Sequence, residues 1–433
     1  MFYKMIQRKR DAWYTSAACS IQGILRYMQA NGHLRDAQLD AIKTYLYLKI
    51  AAGNQSLYDL FVQGFFNSLD LDTLKVSARA RAMLRQKPAT AALYEFAAMK
   101  TDSGQMLSKN VVRTIEEDPD KIDSRAVFYQ IFFEKSYTEY LFSLPMGAGK
   151  TFLMAAFIYL DLYFAMLEPK NPAFAHNFII LVPSGLKSSV VPSLRTIQRF
   201  DPAWVLAEPA ASQVKRLLKF EVLDAQKAQA KSNRAKNPNV QKIALHQSEP
   251  DLVGLVAVTN AEKVILDRIS YKNGQLSLFT NSDDDKDRQA NELRNRIGKL
   301  PGLAIFIDEA HHAADDDIKL RGVVNQWMQN EQHTINSVIG FSGTPYLAKA
   351  ERVYLSDTLY LQTEEISTIV YYYRLVDGIG NFLKRPVVKK AAQGMESIEI
   401  VNHGLHEFFD RYRDTRYENG CWTKLAILCS NID

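Results

Sequence analysis

Leu144-Pro145-Met146-Gly147-Ala148-Gly149-Lys150-Thr151 follows the apolar run Tyr140-Leu141-Phe142 and opens a second apolar run from Phe152 to Leu167. Strand, glycine-rich turn and helix in that order form a frame that presents backbone N–H groups to a polyphosphate. Gly147, Ala148 and Gly149 keep the turn small, and the two glycines let the chain approach phosphate oxygens with no Cβ in the way. Lys150 is set to reach the β and γ phosphates, and Thr151 to hold Mg2+. The strict pattern asks for glycine at its first position, where this chain has Leu144. A glycine turn ahead of a core helix is the plain alternative. The Lys-Thr pair directly after a strand argues against it.

Far along the chain, Leu303-Ala304-Ile305-Phe306-Ile307 is continuously apolar, the pattern of a strand buried on both faces of a parallel sheet. It ends in Asp308-Glu309-Ala310-His311. Catalytic groups in such sheets sit at the carboxyl ends of strands, so these acids fall where chemistry is expected. Asp308 would bind Mg2+ through water, and Glu309 would polarise an attacking water. Two acids after a strand are by themselves common on hydrated loops; the Lys150 turn in the same chain gives them a purpose. Val338-Ile339-Gly340-Phe341 reads as another buried strand, followed by Ser342-Gly343-Thr344-Pro345. Hydroxyls at such a strand end can hydrogen-bond an acidic loop.

These elements, in this order, resemble the motor of helicase superfamily 2. Within it they look most like the DNA-translocating subunit of type I and type III restriction enzymes. Gly147 to Thr151 match motif I, Asp308 to His311 motif II, and Phe341 to Pro345 motif III. Ile179 to Ser184 sit where motif Ia belongs, and Val256 to Asn260 resemble the next strand and its Thr-Asn loop. The resemblance covers about residues 125 to 346. It implies an α/β fold, a RecA-like P-loop NTPase domain with a parallel sheet, which hydrolyses ATP with Mg2+ to drive movement along DNA. It further implies that His311 couples the ATP site to Ser342 and Thr344, and that Ser184, Lys187 and Thr259 face the nucleic acid. A methyltransferase or nuclease subunit is the partner such a motor would serve, in restriction or phage defence.

The same family carries a glutamine that reads adenine, and two candidates remain open. Gln38, in Leu34-Arg35-Asp36-Ala37-Gln38-Leu39-Asp40-Ala41-Ile42, fits the residue pattern but precedes the turn by more than a hundred residues. Gln130, in Phe128-Tyr129-Gln130, has the more usual spacing. Gln38 would require a large inserted segment.

Length and composition fit a large soluble enzyme. The 433 residues, 47% hydrophobic and 23% charged, can bury an ample core in two or three domains. A net charge of +5 is compatible with a nucleic-acid partner. Cys19, Cys421 and Cys429 are too few for a disulfide scaffold or zinc site, which points to a reducing cytoplasm. Phe152 to Leu167 is shorter than the roughly 18 to 20 residues that span a bilayer and contains Asp161, so no membrane segment is expected and the run reads as the helix behind the turn.

Three regions follow: a helical stretch over 1–120, the motor domain over 121–346, and a linker with the first strand of an incomplete second motor domain over 347–433. In the first, Leu34, Leu39, Ile42, Leu46 and Ile50 recur at helical spacing, with Gly53-Asn54 as a stop. Lys75, Arg79, Arg81, Arg85 and Lys87 form a basic cluster, either a solvated helix face or a DNA-backbone contact. A cationic insertion runs from Asp201 to Asp251, and Asn281 to Asp287 is an acidic loop. Lys424 to Asn431 resembles motif IV of the second motor domain; the rest of that domain, with the arginine that completes the ATP site, does not follow, which implies weak hydrolysis by this chain alone and a fragment or split gene product. An ATP-gated switch without motion and an RNA remodeller are the competing readings.

Overall fold

In the computed structural model, the described residues are 1–101, 104–132, 137–182, 190–223, 252–260, 293–308, 323–325, 327–328, 335–355, 359–383, 397–416 and 422–425, with single positions 243, 246, 264 and 420. Seven strands form a parallel sheet: β1 (Glu139–Ser143), β2 (Asn177–Val182), β3 (Lys219–Val222), β4 (Leu255–Asn260), β5 (Leu303–Ile307), β6 (Ile335–Ser342) and, after a separate hairpin of β7 (Tyr346–Tyr354) and β8 (Tyr360–Glu365), β9 (Ile369–Tyr372). Their spatial order is β3-β4-β2-β5-β6-β1-β9. Every pairing in this sheet is parallel, whereas β7 and β8 run antiparallel.

The uninterrupted apolar runs have a direct cause. Successive strand residues point to opposite faces, and both faces are covered. Phe178, Ile180, Val182, Ala304, Phe306, Ile339 and Phe341 enter one core with Tyr140 and Phe142. Their neighbours Ile179, Leu181, Leu303, Ile305 and Val338 enter the other, against Leu293, Ile297, Leu300 and Trp327.

The first core is filled mainly by α3 (Asp36–Ile50) and α9 (Lys150–Leu167), whose side chains are buried around most of their circumference. By length and hydropathy α9 is the one described helix able to cross a bilayer, because it starts at Lys150 and so reaches 18 residues. It is a core helix here, with Leu153 to Leu160 buried against the sheet as the sequence led us to expect. The stop after α3 also stands where expected: Gly53 and Asn54 both take positive φ, at 60° and 55°. The turn is tied down by Asn54 Nδ2 donating to the Asn336 carbonyl at 2.9 Å and by the Tyr140 hydroxyl donating to Gln55 O at 2.6 Å.

Before α3 come α1 (Phe2–Tyr14) and α2 (Gln22–Asn31). Between α3 and β1 the chain builds α4 (Leu57–Val62), α5 (Ala78–Gln86), α6 (Pro88–Ala98), α7 (Lys109–Glu117) and α8 (Ser124–Ile131). Aromatic rings join these helices. Phe2 of α1 lies flat on Phe96 of α6 at 3.9 Å between centroids, and Phe61 of α4 stacks on Phe132 after α8 at 5.5 Å. This is the inserted segment that Gln38 required.

Residues Met1–Phe382 form one compact unit and Leu383–Asp433 another. The helices before residue 120 thus belong to the same unit as the sheet, as do β7, β8 and β9. Within the second unit the described residues include a helix, Ser397–Arg411, and an Arg416 guanidinium 4.0 Å from the centre of the Trp422 ring. Most of the run from Lys424 to Asn431 lies outside the described residues, as does the acidic loop from Asn281 to Asp287.

Candidate ATP site

The glycine-rich turn leaves the carboxyl end of β1 and closes on the first turn of α9. Leu144 explains the departure from the strict pattern. It is fully buried and its N–H donates to Ser342 O at 2.9 Å, so the backbone here still follows the sheet and has no need of glycine. Gly147 and Gly149 do need it, with φ of 81° and 86°. Gly149 caps α9, so the first-turn N–H groups and positive dipole end of an 18-residue helix open into the turn.

Asp308 stands at the end of β5 with its N–H donating to Leu181 O at 3.0 Å. The strand β6 lies between β5 and β1, and its end carries Ser342 and Thr344. The Ser342 hydroxyl donates to Thr344 O at 2.7 Å and accepts from the Thr344 N–H at 3.1 Å, folding the residues after β6 into a tight turn. The three stretches singled out in the sequence therefore meet at the carboxyl ends of three adjacent strands. Asp308 and the turn are two strand spacings apart, about 10 Å. Lys150 is 8% exposed, and its Nζ and one Asp308 carboxylate oxygen are withdrawn from solvent. Glu309, His311, Ser184 and Lys187 lie outside the described residues. Thr259 is fully buried at the end of β4, so its hydroxyl is packed in the sheet and does not present a surface to nucleic acid.

The two glutamines separate clearly. Gln130 is exposed on α8, which packs on α4, α6 and β7. Gln38 is 6% exposed in the first turn of α3, and a Cβ built on Gly149 would come within 2.4 Å of its Nε2. Its Oε1 accepts from the Arg35 N–H at 3.0 Å, which holds the side chain back over the helix start. Arg35 itself escaped the sequence reading. Its guanidinium donates to Gly147 O at 2.5 Å and lies 5.1 Å from the centre of the Phe382 ring. The signal available was the Arg35–Gln38 spacing, one helical turn at a helix start.

The basic cluster is largely spent on internal contacts. Arg85 pairs with Asp72, Lys87 pairs with Asp120, and Arg81 donates to Leu74 O at 2.9 Å. Lys75 and Arg79 are exposed.

The residues present fit a magnesium–nucleotide. The cradle is one that a Cβ at Gly149 would fill, a helix N-terminus opens into it with Lys150 in its first turn, and the Asp308 carboxylate ends the strand two places along the sheet. Gly149→Ala tests the cradle. Forcing alanine into positive φ costs about 1–2 kcal/mol, and the new methyl displaces Gln38. Equilibrium titration should show ATP affinity down by roughly tenfold or more; unchanged affinity would mean the nucleotide sits elsewhere.

A parallel α/β sheet with this turn, the acidic strand end and the Ser-Gly-Thr loop defines a RecA-like P-loop domain of the superfamily 2 helicase type. The family model of the type III restriction enzyme, res subunit, matches residues 104–347, more than half of the chain, and the protein belongs to that family. No curated protein matches it in sequence. That family is one of helicase-type ATPases of restriction enzymes.

Proposed function

We propose that the protein is an ATP-driven motor acting on DNA, in restriction or phage defence, with a methyltransferase or nuclease subunit as its partner. The observation that carries this reading is the meeting of the Gly147–Thr151 turn, Asp308 and the Ser342–Thr344 loop at one edge of the sheet, within a restriction-enzyme family.

Bound at this edge, Mg2+ would offset the charge gathering on the transferred phosphoryl group. Lys150 and the N–H groups that open α9 would hold the polyphosphate, while Thr151 would hold the metal and Asp308 would bind it through water. Glu309 takes the proton of the attacking water. Gln38, not Gln130, reads the adenine edge, because it is the glutamine seated beside Gly149. Arg35 steadies the turn through Gly147 O. Ser342 and Thr344 sense the state of the acidic loop through His311.

The test is ATP hydrolysis measured without nucleic acid and with duplex DNA, single-stranded DNA or RNA at equal phosphate concentration. DNA should raise the rate at least several-fold. Acceleration by RNA alone would reassign the substrate, and equal rates in all four would leave a nucleotide switch rather than a motor.

A further inference from the structure

We infer that Trp204 is a positioning residue for base selection, clamping the segment before Gln38 onto the phosphate turn. The inference rests on the reading of Gln38 given above and extends it to a residue more than 160 positions downstream.

The clamp is a ladder of three rings. Trp204 lies parallel to Phe152, 5.7 Å between centroids and 5° between planes, and Phe152 follows Thr151 directly in the first turn of α9. On the same indole stacks the His33 imidazole, at 5.3 Å and 11°. His33 is two residues before Arg35, the cap of α3, and five before Gln38. A ring belonging to the phosphate-binding helix and a ring belonging to the base-reading loop are therefore joined through one indole.

A second set of bonds fixes the same place. The Ala203 carbonyl accepts from the Tyr27 hydroxyl and from Asn31 Nδ2, both at 2.8 Å, so the end of α2 is held to the residue beside Trp204. Trp204 is itself seated by the short 3-10 turn Pro202–Trp204, whose cap Asp201 accepts from the Ala203 N–H at 3.0 Å, and by the edge of Phe200 at 5.6 Å. From Asn31 to Gln38 the chain thus has anchors at both ends: Ala203 and Trp204 on one side, Gly147 through Arg35 on the other.

The physical consequence is selective. Phosphate binding draws on the N–H groups and Lys150 of the turn, which the ladder does not supply. Reading a base edge demands that Gln38 stand within hydrogen-bond tolerance of the base, and that tolerance is set by how tightly residues 31–38 are held. Loosening the ladder should therefore lower the preference for adenine over guanine and spare the affinity for the phosphates.

Competition binding on the full chain decides it, with ATP, GTP and inorganic triphosphate displacing a labelled ADP. For Trp204→Ala the ATP-to-GTP affinity ratio should fall at least about fivefold, the worth of one hydrogen bond, toward that of Gln38→Ala. Triphosphate affinity should stay within twofold or so of wild type, and Trp204→Phe, which keeps a stacking ring, should recover most of the ratio. His33→Ala, at an exposed position that does not endanger folding, should move the ratio in the same direction. A Gln38→Ala variant that loses selectivity while Trp204→Ala and His33→Ala keep it would overturn the clamp and leave Gln38 intact. Full selectivity in Gln38→Ala would instead remove the base-reading role itself. Equal losses of ATP, GTP and triphosphate affinity in Trp204→Ala would reduce Trp204 to a general structural residue.

Discussion

Lys150→Ala abolishes ATP turnover: kcat/KM should fall by at least about 10²- to 10³-fold, the usual loss when a preorganised charge-stabilising donor is removed. The ammonium sits in the first turn of α9 with only 8% of its surface exposed, beside the two glycines whose backbone forms the cradle. An ammonium in the first turn of a helix is placed to meet a bound anion together with the helix's positive end. Glu309→Gln separates binding from chemistry. It should leave ATP affinity near wild type and lower kcat by about 10²- to 10⁴-fold, the range for a general base. The pair is read by equilibrium binding and single-turnover hydrolysis. Equal ATP affinity in wild type and Lys150→Ala would break the assignment of the cradle.

The second large effect is on stability and comes from the far end of α3. Lys49 and Asp161 are 0% and 1% exposed, 3.4 Å apart, and join α3 to α9. The amine also donates to Asn336 Oδ1 at 2.6 Å and to Ala173 O at 3.0 Å, while the Tyr45 hydroxyl donates to Asp161 at 2.8 Å. Burial pushes the Asp161 carboxyl up and the Lys49 amine down, with their mutual attraction opposing both shifts. Lys49→Met keeps the volume but strands the carboxylate, at a cost of about 3–5 kcal/mol near neutral pH. The sign of the pH dependence follows. With the folded-state carboxyl raised above its unfolded value, the penalty is full above the folded pKa and fades as pH falls toward about 4, where the unfolded carboxyl also takes up its proton. Urea unfolding at pH 7 and pH 5 should show the variant's deficit shrinking on acidification. Adding Asp161→Asn should restore part of the loss at pH 7. A Lys49→Met chain as stable as wild type would mean that the pair does not lock α3 to α9.

The sequence made the chemistry legible and hid much of its support. Leu303 to Ile307 and Val338 to Phe341 were readable because strands covered on both faces must be apolar at every position. Gly147 to Thr151 were readable because positive φ and a phosphate both exclude side chains. The choice between Gln38 and Gln130 was not readable. Spacing favoured Gln130, and only the folding of α4 to α8 as an insert brings Gln38 back to Gly149. The basic cluster from Lys75 to Lys87 read either as a solvated helix face or as a phosphate contact, and Asp72, just ahead of it, and Asp120, well beyond it, pair with two of its members. Trp204 carried no signal at all, since a lone tryptophan in a cationic stretch does not announce which ring it meets. Nor did anything local to Ile369–Tyr372 say that this strand, β9, joins the main sheet.

That last strand has a practical consequence. The family match stops at residue 347, yet β9 lies beyond it and pairs Leu141 with Ile369 and Ser143 with Tyr372, while the Tyr373 N–H reaches back to Ser143 O at 2.9 Å. A polypeptide cut where the homology ends would leave the outer row of β1 amides and carbonyls bare beside the phosphate turn, a template on which a stray strand can assemble. The evolutionary boundary and the physical one do not coincide, and anyone trimming this motor should follow the hydrogen bonds.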